Sequence, residues 1–122
     1  MTDIRPCISV EYGENAAIVT FTNEKILEEN DIQAIEKALF PVIEQTEQVN
    51  LILDFCNVQF LSSAVLGLLI RISKKTYEHD GQLKLCGIKP KIYEIFKITR
   101  LTKIFDIHDD IDSAMEDLSV PE

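Results

Sequence analysis

The segment from Val49 to Phe55 constrains the fold more than any other part of this sequence. It is almost continuously apolar, and its only polar residues are Asn50 and Asp54. A strand with one face in water alternates polar and apolar residues, so a run of this kind is typical of a strand that helices cover on both faces. Strands of this type lie inside sheets with parallel pairing. The segment therefore predicts an α/β fold.

The remaining strands alternate with helices along the chain. Ile8 to Tyr12 and Ala16 to Phe21 are β-prone runs separated by Gly13-Glu14-Asn15, which predicts an antiparallel hairpin. Leu83 to Cys86 and Ile104 to Ile107 predict two further strands. Because strands that alternate with helices pair in parallel, we expect a mixed central sheet. It would combine the antiparallel N-terminal hairpin with parallel strands covered by about four helices.

Apolar residues that recur at steps of three and four positions predict the helices. The first helix starts from Asp31, where Asn30 and Gln33 have the spacing of a reciprocal N-terminal cap. The second follows Ser62-Ser63 and extends to Tyr77, the third has Pro90 in its first turn, and the last extends roughly from Ile111 to Leu118. The second helix ends before Asp80-Gly81.

Length and charge restrict the classes of partner. The chain of 122 residues has no linker-like segment, so we expect a single domain over residues 1–122. No apolar run approaches the roughly 20 residues of a membrane span, and the N-terminus lacks the apolar core of a signal peptide. We therefore expect a cytoplasmic location. The net charge of −9 repels phosphate backbones and anionic lipids, so neither nucleic acid nor membrane is an expected partner.

The cysteines and histidines predict neither a metal site nor a cofactor. Cys7, Cys56 and Cys86 are odd in number and have no C-x-x-C spacing, which argues against a disulfide framework and a zinc site. Cys56 and Cys86 each end an apolar run and are predicted to be core thiols. His79 and His108 fall in predicted surface turns without a second histidine at ligand spacing.

The sequence contains no complete catalytic set, so we expect a binding module and not an enzyme. Its glycines are too far apart for a phosphate-binding loop, and Ser63 lacks the G-x-S-x-G elbow of hydrolases. Asp54 ends a buried strand, as does the nucleophile of receiver domains. A receiver-like phosphoacceptor that uses Asp54 is therefore one alternative, and a cap on the turn at Asn57 is the structural interpretation. A small-ligand sensor is a further alternative, because α/β sheets offer a crevice beyond their strand ends.

The Ser62-Ser63 pair stands where a predicted loop gives way to a helix. A serine at such a junction caps the helix by accepting a hydrogen bond from a backbone N–H group. The same position offers free N–H groups and the positive end of the helix dipole to a phosphate. The pair therefore predicts either a helix cap or a regulatory phosphorylation site.

One pattern extends over nearly the whole chain. It comprises Leu53-Asp54-Phe55, Val58, Phe60, Ser62-Ser63, Leu66-Gly67, Leu69, Gly81-Gln82-Leu83, Phe96, Leu101 and Ile104 to Ile107. In this pattern the sequence resembles STAS domains, and among them the single-domain anti-sigma-factor antagonists. The resemblance implies docking to a serine kinase that sequesters a sigma factor. It also implies that the kinase ends the association by phosphorylating the antagonist and that a serine phosphatase restores it.

The phosphorylation motif of that family, D-S-S-G-L-G, is altered in this chain. Aligned without a gap, Ser62 replaces the aspartate, Ser63 the first serine, Ala64 the phosphoacceptor and Val65 the first glycine. The resemblance leaves Ser63 and Ser62 as candidate acceptors, with Ser63 favoured because it is nearer the first predicted helical turn. The alternative is a constitutive binder. The partner-binding candidates are Asn23, Gln59, Leu61, Ser62, Ser63, Ala64, Leu66 and Gly67.

Overall fold

The computed structural model describes residues 2–5, 8–13, 16–45 and 49–119, without the side chains of residues 2–5 and 117–119. In these residues the chain forms strands and α-helices in alternation after an N-terminal meander. They are β1 (Thr2–Arg5), β2 (Ile8–Tyr12), β3 (Ala17–Phe21), β4 (Lys25–Ile26), α1 (Glu29–Glu44), β5 (Asn50–Asp54), β6 (Phe60–Leu61), α2 (Ser63–Glu78), β7 (Gln82–Cys86), α3 (Pro90–Ile98), β8 (Asp106–His108) and α4 (Ile111–Ser119). A 3-10 turn, Leu101–Lys103, separates α3 from β8.

The central sheet has the strand order β1-β2-β3-β5-β7-β8. The first three strands pair in antiparallel fashion, and β3, β5, β7 and β8 pair in parallel. Val19 pairs with Leu53, and Leu53 pairs with Leu85, so the hairpin and the buried strands share one sheet. The predicted mixed α/β architecture is confirmed.

Strand β5 is buried on both faces, as its sequence predicts. Leu51 and Leu53 contribute to the larger core cluster, which also contains the buried residues of α1, α2 and α3. Ile52 points to the opposite face, where it packs with Ala114 of α4. Three helices therefore cover one face of the sheet and α4 covers the other.

A second, two-stranded sheet pairs β4 with β6 in parallel. The carbonyl of Glu24 accepts hydrogen bonds from the amides of Gln59 (2.7 Å) and Phe60 (3.0 Å). The amide of Ser62 donates to the carbonyl of Ile26 at 3.1 Å. The sequence did not predict this sheet. Its hydrogen bonds join the segment that follows β3 to the segment that precedes α2.

Two predicted boundaries are wrong. Helix α1 begins at Glu29, and the carbonyl of Glu28 accepts the amides of Asp31 and Ile32, so the Asn30–Gln33 cap does not form. The last strand begins only at Asp106, because α3 ends at Ile98, Arg100 then adopts a left-handed conformation (φ 64°), and the 3-10 turn follows.

The cysteines and histidines differ from expectation in part. Cys86 is buried, which raises the pKa of its thiol to about 12, chiefly through desolvation. Cys56 is exposed, because it lies in the turn after β5, so its prediction as a core thiol is wrong. His79 lies at the C-terminus of α2, whereas His108 lies in β8 and not in a turn. Cys7 and the predicted turn residues Glu14 and Asn15 lie outside the described residues.

The described part of the chain contains four α-helices, of which the longest have 16 residues. None of them has both the length and the apolar character that crossing a membrane needs.

Candidate functional site

The junction between β6 and α2 presents the serine pair. Ser62 occupies the N-cap position with extended backbone angles (φ −89°, ψ 164°), and Ser63 is the first helical residue. The carbonyl of Ser62 accepts the amide of Val65 at 3.0 Å, which closes the first turn through the backbone. The β4–β6 pairing therefore fixes where the chain enters α2.

The two hydroxyl groups have different environments. Ser62 Oγ is buried and has no hydrogen-bond partner in the described residues. The side chain of Ser62 does not cap α2, so the capping interpretation is wrong for the residue at the N-cap position. Ser63 and its neighbour Ala64 are exposed. Residue Ser63 is therefore open to solvent, whereas the hydroxyl of Ser62 is covered.

The start of α2 is electrostatically suited to an anion. An α-helix leaves its first N–H groups without carbonyl partners and carries a partial positive charge at this end. The first turn of α2 contains no acidic residue. A negative group attached to Ser63 would therefore meet free amides and no like charge from the same turn.

Gly67 lies one helical turn after Ser63, on the same side of α2. A Cβ atom added at Gly67 would meet only the guanidinium of Arg71, at 3.8 Å. Packing therefore does not require a glycine here, although a glycine inside a helix costs about 1 kcal/mol relative to alanine. The missing side chain leaves the surface beside Ser63 open to a close approach.

The β4–β6 sheet brings other partner-binding candidates toward this junction. Asn23 lies between β3 and β4, next to Glu24, whose carbonyl accepts the amide of Gln59. Asn23, Gln59 and Leu61 are each half-buried. Leu66 is 7% exposed and belongs to the main core, so it packs on the buried side of α2.

An apolar groove lies beside β6 and was not anticipated from the sequence. We call it the Phe60 groove; it has a volume of about 300 Å³ and is lined by Leu27, Gln59, Phe60, Leu61, Lys91, Ile92 and Ile95. Leu27 and Phe60 are each 48% exposed. The ammonium of Lys91 lies 3.9 Å from the centroid of the Phe60 ring, and that of Lys25 lies 5.7 Å from it. The groove is thus apolar at its centre and basic at its rim.

Asp54 has a structural role at the end of β5. Its side chain is buried, and Oδ1 accepts the amide of Cys56 at 3.0 Å, which agrees with the turn-capping interpretation. The side-chain amide of Asn57 donates to the carbonyl of Phe21 at 3.2 Å and holds the same turn against β3. The Asp54 carboxylate thereby ties the end of β5 to the turn that follows it.

A cleft of about 310 Å³ lies at the carboxyl ends of β5 and β7. It is lined by Asp54, Cys56, Gly87, Asp109, Asp110, Ile111 and Asp112. Within the described ranges, no three acidic, histidine or cysteine side chains converge in the manner of a metal site. The side chain of Asp110 is engaged with α4, where Oδ1 accepts the amide of Ser113 at 2.9 Å.

Comparisons with known proteins agree with this architecture. The STAS domain family model matches residues 9–114. A relative named "Anti-sigma F factor antagonist", from Paenibacillus polymyxa, is 23% identical over 113 residues, which cover 93% of this chain and 95% of the relative.

Two solved structures illustrate the similarity in fold. An anti-sigma-factor antagonist (STAS) domain protein from Planctomyces limnophilus matches with a TM-score of 0.84 at 18% identity, over 93% of this chain and 98% of that chain. The Bacillus cell fate determinant SpoIIAA in its phosphorylated form matches with a TM-score of 0.69 at 14% identity, over 89% of this chain and 96% of that chain. Because the family model extends from β2 to α4, we conclude that the chain belongs to the STAS domain family.

Proposed function

We propose that this protein is an anti-sigma-factor antagonist that docks onto an anti-sigma serine kinase in the cytoplasm and is released when the kinase phosphorylates Ser63. The observation that carries the proposal is the exposed position of Ser63 at the N-terminus of α2. Family membership supports the proposal, as does the name of the Paenibacillus relative. A serine phosphatase would reverse the modification.

Accessibility favours Ser63 over Ser62 as the phosphoacceptor. A kinase must bring the γ-phosphate of ATP into line with the attacking hydroxyl oxygen. Ser63 lies in the first turn of α2 with its side chain exposed. Ser62 Oγ is buried, so its phosphorylation would require the β6–α2 junction to open first. Ala64, at the usual acceptor position of the family, has no hydroxyl group.

Electrostatics explains how a phosphate would change binding and leave the fold intact. A phosphoserine adds roughly 1.5 to 2 negative charges at neutral pH. Within the domain, the helix dipole and the free amides of the first turn offset this charge. A partner surface shaped for a neutral hydroxyl would instead meet a desolvated anion, which costs several kcal/mol of affinity. Phosphorylation would therefore release the partner without unfolding the antagonist.

The small residues near Ser63 support docking at this surface. Ala64 is exposed and Gly67 has open space where a side chain would be. Without large side chains, the backbone of another protein can approach α2 closely. The exposed Phe60 of the neighbouring β6 would extend the contact area.

Mapping of the phosphate tests the proposal. The protein is used to recover its kinase from the native cytoplasm and is then incubated with that kinase and ATP, together with Ser62→Ala and Ser63→Ala variants. We expect acid-stable phosphate on Ser63 in the wild type and in Ser62→Ala, and none in Ser63→Ala. An acid-labile phosphate on Asp54 would support the receiver-like alternative. Tight binding without any phosphate transfer would indicate a constitutive antagonist.

A further inference from the structure

The Phe60 groove combines exposed apolar side chains with nearby lysines. Leu27, Phe60 and Ile95 leave 48%, 48% and 36% of their surfaces exposed around one depression. Clustered apolar exposure of this kind marks interaction sites in soluble proteins. The groove would cover an apolar side chain contributed by another molecule.

The rim of the groove is basic, although the net charge of the chain is −9. The ammonium groups of Lys25 and Lys91 lie near the face of Phe60. In the described part of the chain, neither lysine forms an ion pair with a carboxylate, whereas Lys97 on the same helix as Lys91 pairs with Glu94 at 3.5 Å. The two lysines are therefore available to carboxylates of a partner.

The groove is continuous with the proposed docking surface. Phe60 and Leu61 form β6, and Ser62 and Ser63 follow them directly. A partner seated over Ser63 thus needs to extend by only a short segment to reach the groove. One partner can contact both places.

We propose that the Phe60 groove binds an acidic amphipathic segment of the anti-sigma partner. An apolar side chain of the segment fills the groove between Phe60 and Ile95, and flanking carboxylates contact Lys25 and Lys91. The identity of the partner rests on the proposed function. The apolar and acidic character of the segment follows from the residues of the groove alone.

The test uses two synthetic peptides of equal length with the same leucine and phenylalanine anchors. One peptide carries glutamates beside the anchors, and the other carries glutamine at each of those positions. Binding to the intact protein is measured by fluorescence anisotropy, and amide chemical shifts locate the site. The protein variants are Lys91→Glu, in the groove, and Lys103→Glu, in the 3-10 turn beyond α3. Both variants change the net charge equally, so a general electrostatic effect cancels between them.

We expect the glutamate peptide to bind the wild type and to shift amides of β6 and α3. Lys91→Glu should weaken this binding about tenfold, and Lys103→Glu should change it by no more than about twofold. Equal weakening by both variants, equal binding of the glutamine peptide, or absence of saturable binding would each overturn the proposal.

Measurements of binding to the recovered kinase distinguish this proposal from the proposed function. Lys91→Glu should weaken kinase binding more than Lys103→Glu does, and Ser63→Asp should abolish kinase binding yet leave peptide binding unchanged. If Ser63→Asp releases the kinase but the two lysine variants bind it equally, the groove proposal is wrong and the function stands. If Ser63→Asp leaves kinase binding intact while the peptide still distinguishes the lysine variants, the proposed switch is wrong and the groove assignment is supported.

Discussion

Gly67 reduces the stability of α2 without a packing reason, and Ser62 places a buried hydroxyl without a partner among the described residues just before this helix. A buried hydroxyl without a partner costs about 1–3 kcal/mol, and an interior helical glycine costs about 1 kcal/mol. Ser62 Oγ is such a hydroxyl, and the space around Gly67 is open. Both residues flank Ser63 in the first turns of the helix. The cost at Gly67 is accounted for if this surface serves docking, because the missing side chain lets a partner approach α2.

Gly67→Ala should therefore separate stability from binding. The new methyl group fits, so we expect the free energy of unfolding to rise by about 0.5–1 kcal/mol. The same methyl group keeps the partner away from α2 and should weaken kinase binding. Urea denaturation and calorimetry measure the two effects.

Gly81→Ala serves as the contrasting control, because its Cβ would lie 1.7 Å from the carbonyl oxygen of Val49. This variant should lower the free energy of unfolding by at least about 1–3 kcal/mol. If Gly67→Ala bound the kinase as tightly as the wild type, Gly67 would lie outside the contact surface.

At the scale of elements, periodicity in the sequence was sufficient for the long helices and the buried strands. It failed for β4 and β6, because a two-residue strand contains no repeat and its pairing depends on a distant segment. It also misplaced the start of α1, where backbone carbonyls replace the expected side-chain cap. Local patterns do not distinguish these two ways of satisfying the first amides of a helix.

The sequence predicted the serine pair of the candidate site but not the burial of Ser62 Oγ or the Phe60 groove. The serine pair was found from its position before a helix and from the family pattern. The burial of Ser62 Oγ depends on tertiary packing, which no local pattern reports. The Phe60 groove requires β6 and α3, which lie some thirty residues apart in the sequence, to meet. In the sequence, Phe60 is marked by its place in the family pattern, which does not indicate a groove.

Helix α4 provides a prediction about pH. The hydrogen bonds that Asp110 accepts from Ser113 lower the pKa of its carboxyl group. A lowered pKa in the folded state stabilises the protein above the ordinary aspartate value of about 3.9, and this contribution is lost as the pH falls through the folded value. The amide shift of Ser113 should therefore titrate with a midpoint below about 3.9.

Asp110→Asn is the matched control for this titration. Asparagine also caps helices but carries no titrating carboxyl group, so the transition should vanish while α4 stays helical. A wild-type midpoint at or above the ordinary aspartate value would show that the carboxylate of Asp110 does not cap the N-terminus of α4.

At the scale of the whole molecule, the docking surface and the core are separate. The buried residues of α2, among them Val65, Leu69 and Ile72, anchor the helix in the main core, while Ser63 faces away from it. Both faces of the sheet are covered by helices, so the scaffold does not depend on the partner for its burial of apolar surface. A charge added at Ser63 should therefore act on association alone.

Binding of the recovered kinase to wild type, Ser63→Asp and Ser63→Ala, measured by calorimetry with a thermal melt of each protein, tests this account most directly. We predict that Ser63→Ala binds like the wild type and that Ser63→Asp loses several kcal/mol of binding free energy. The stability of Ser63→Asp should change by no more than about 1 kcal/mol. If Ser63→Asp bound as tightly as the wild type, phosphorylation at this position would not be the switch, and the protein would be a constitutive binder.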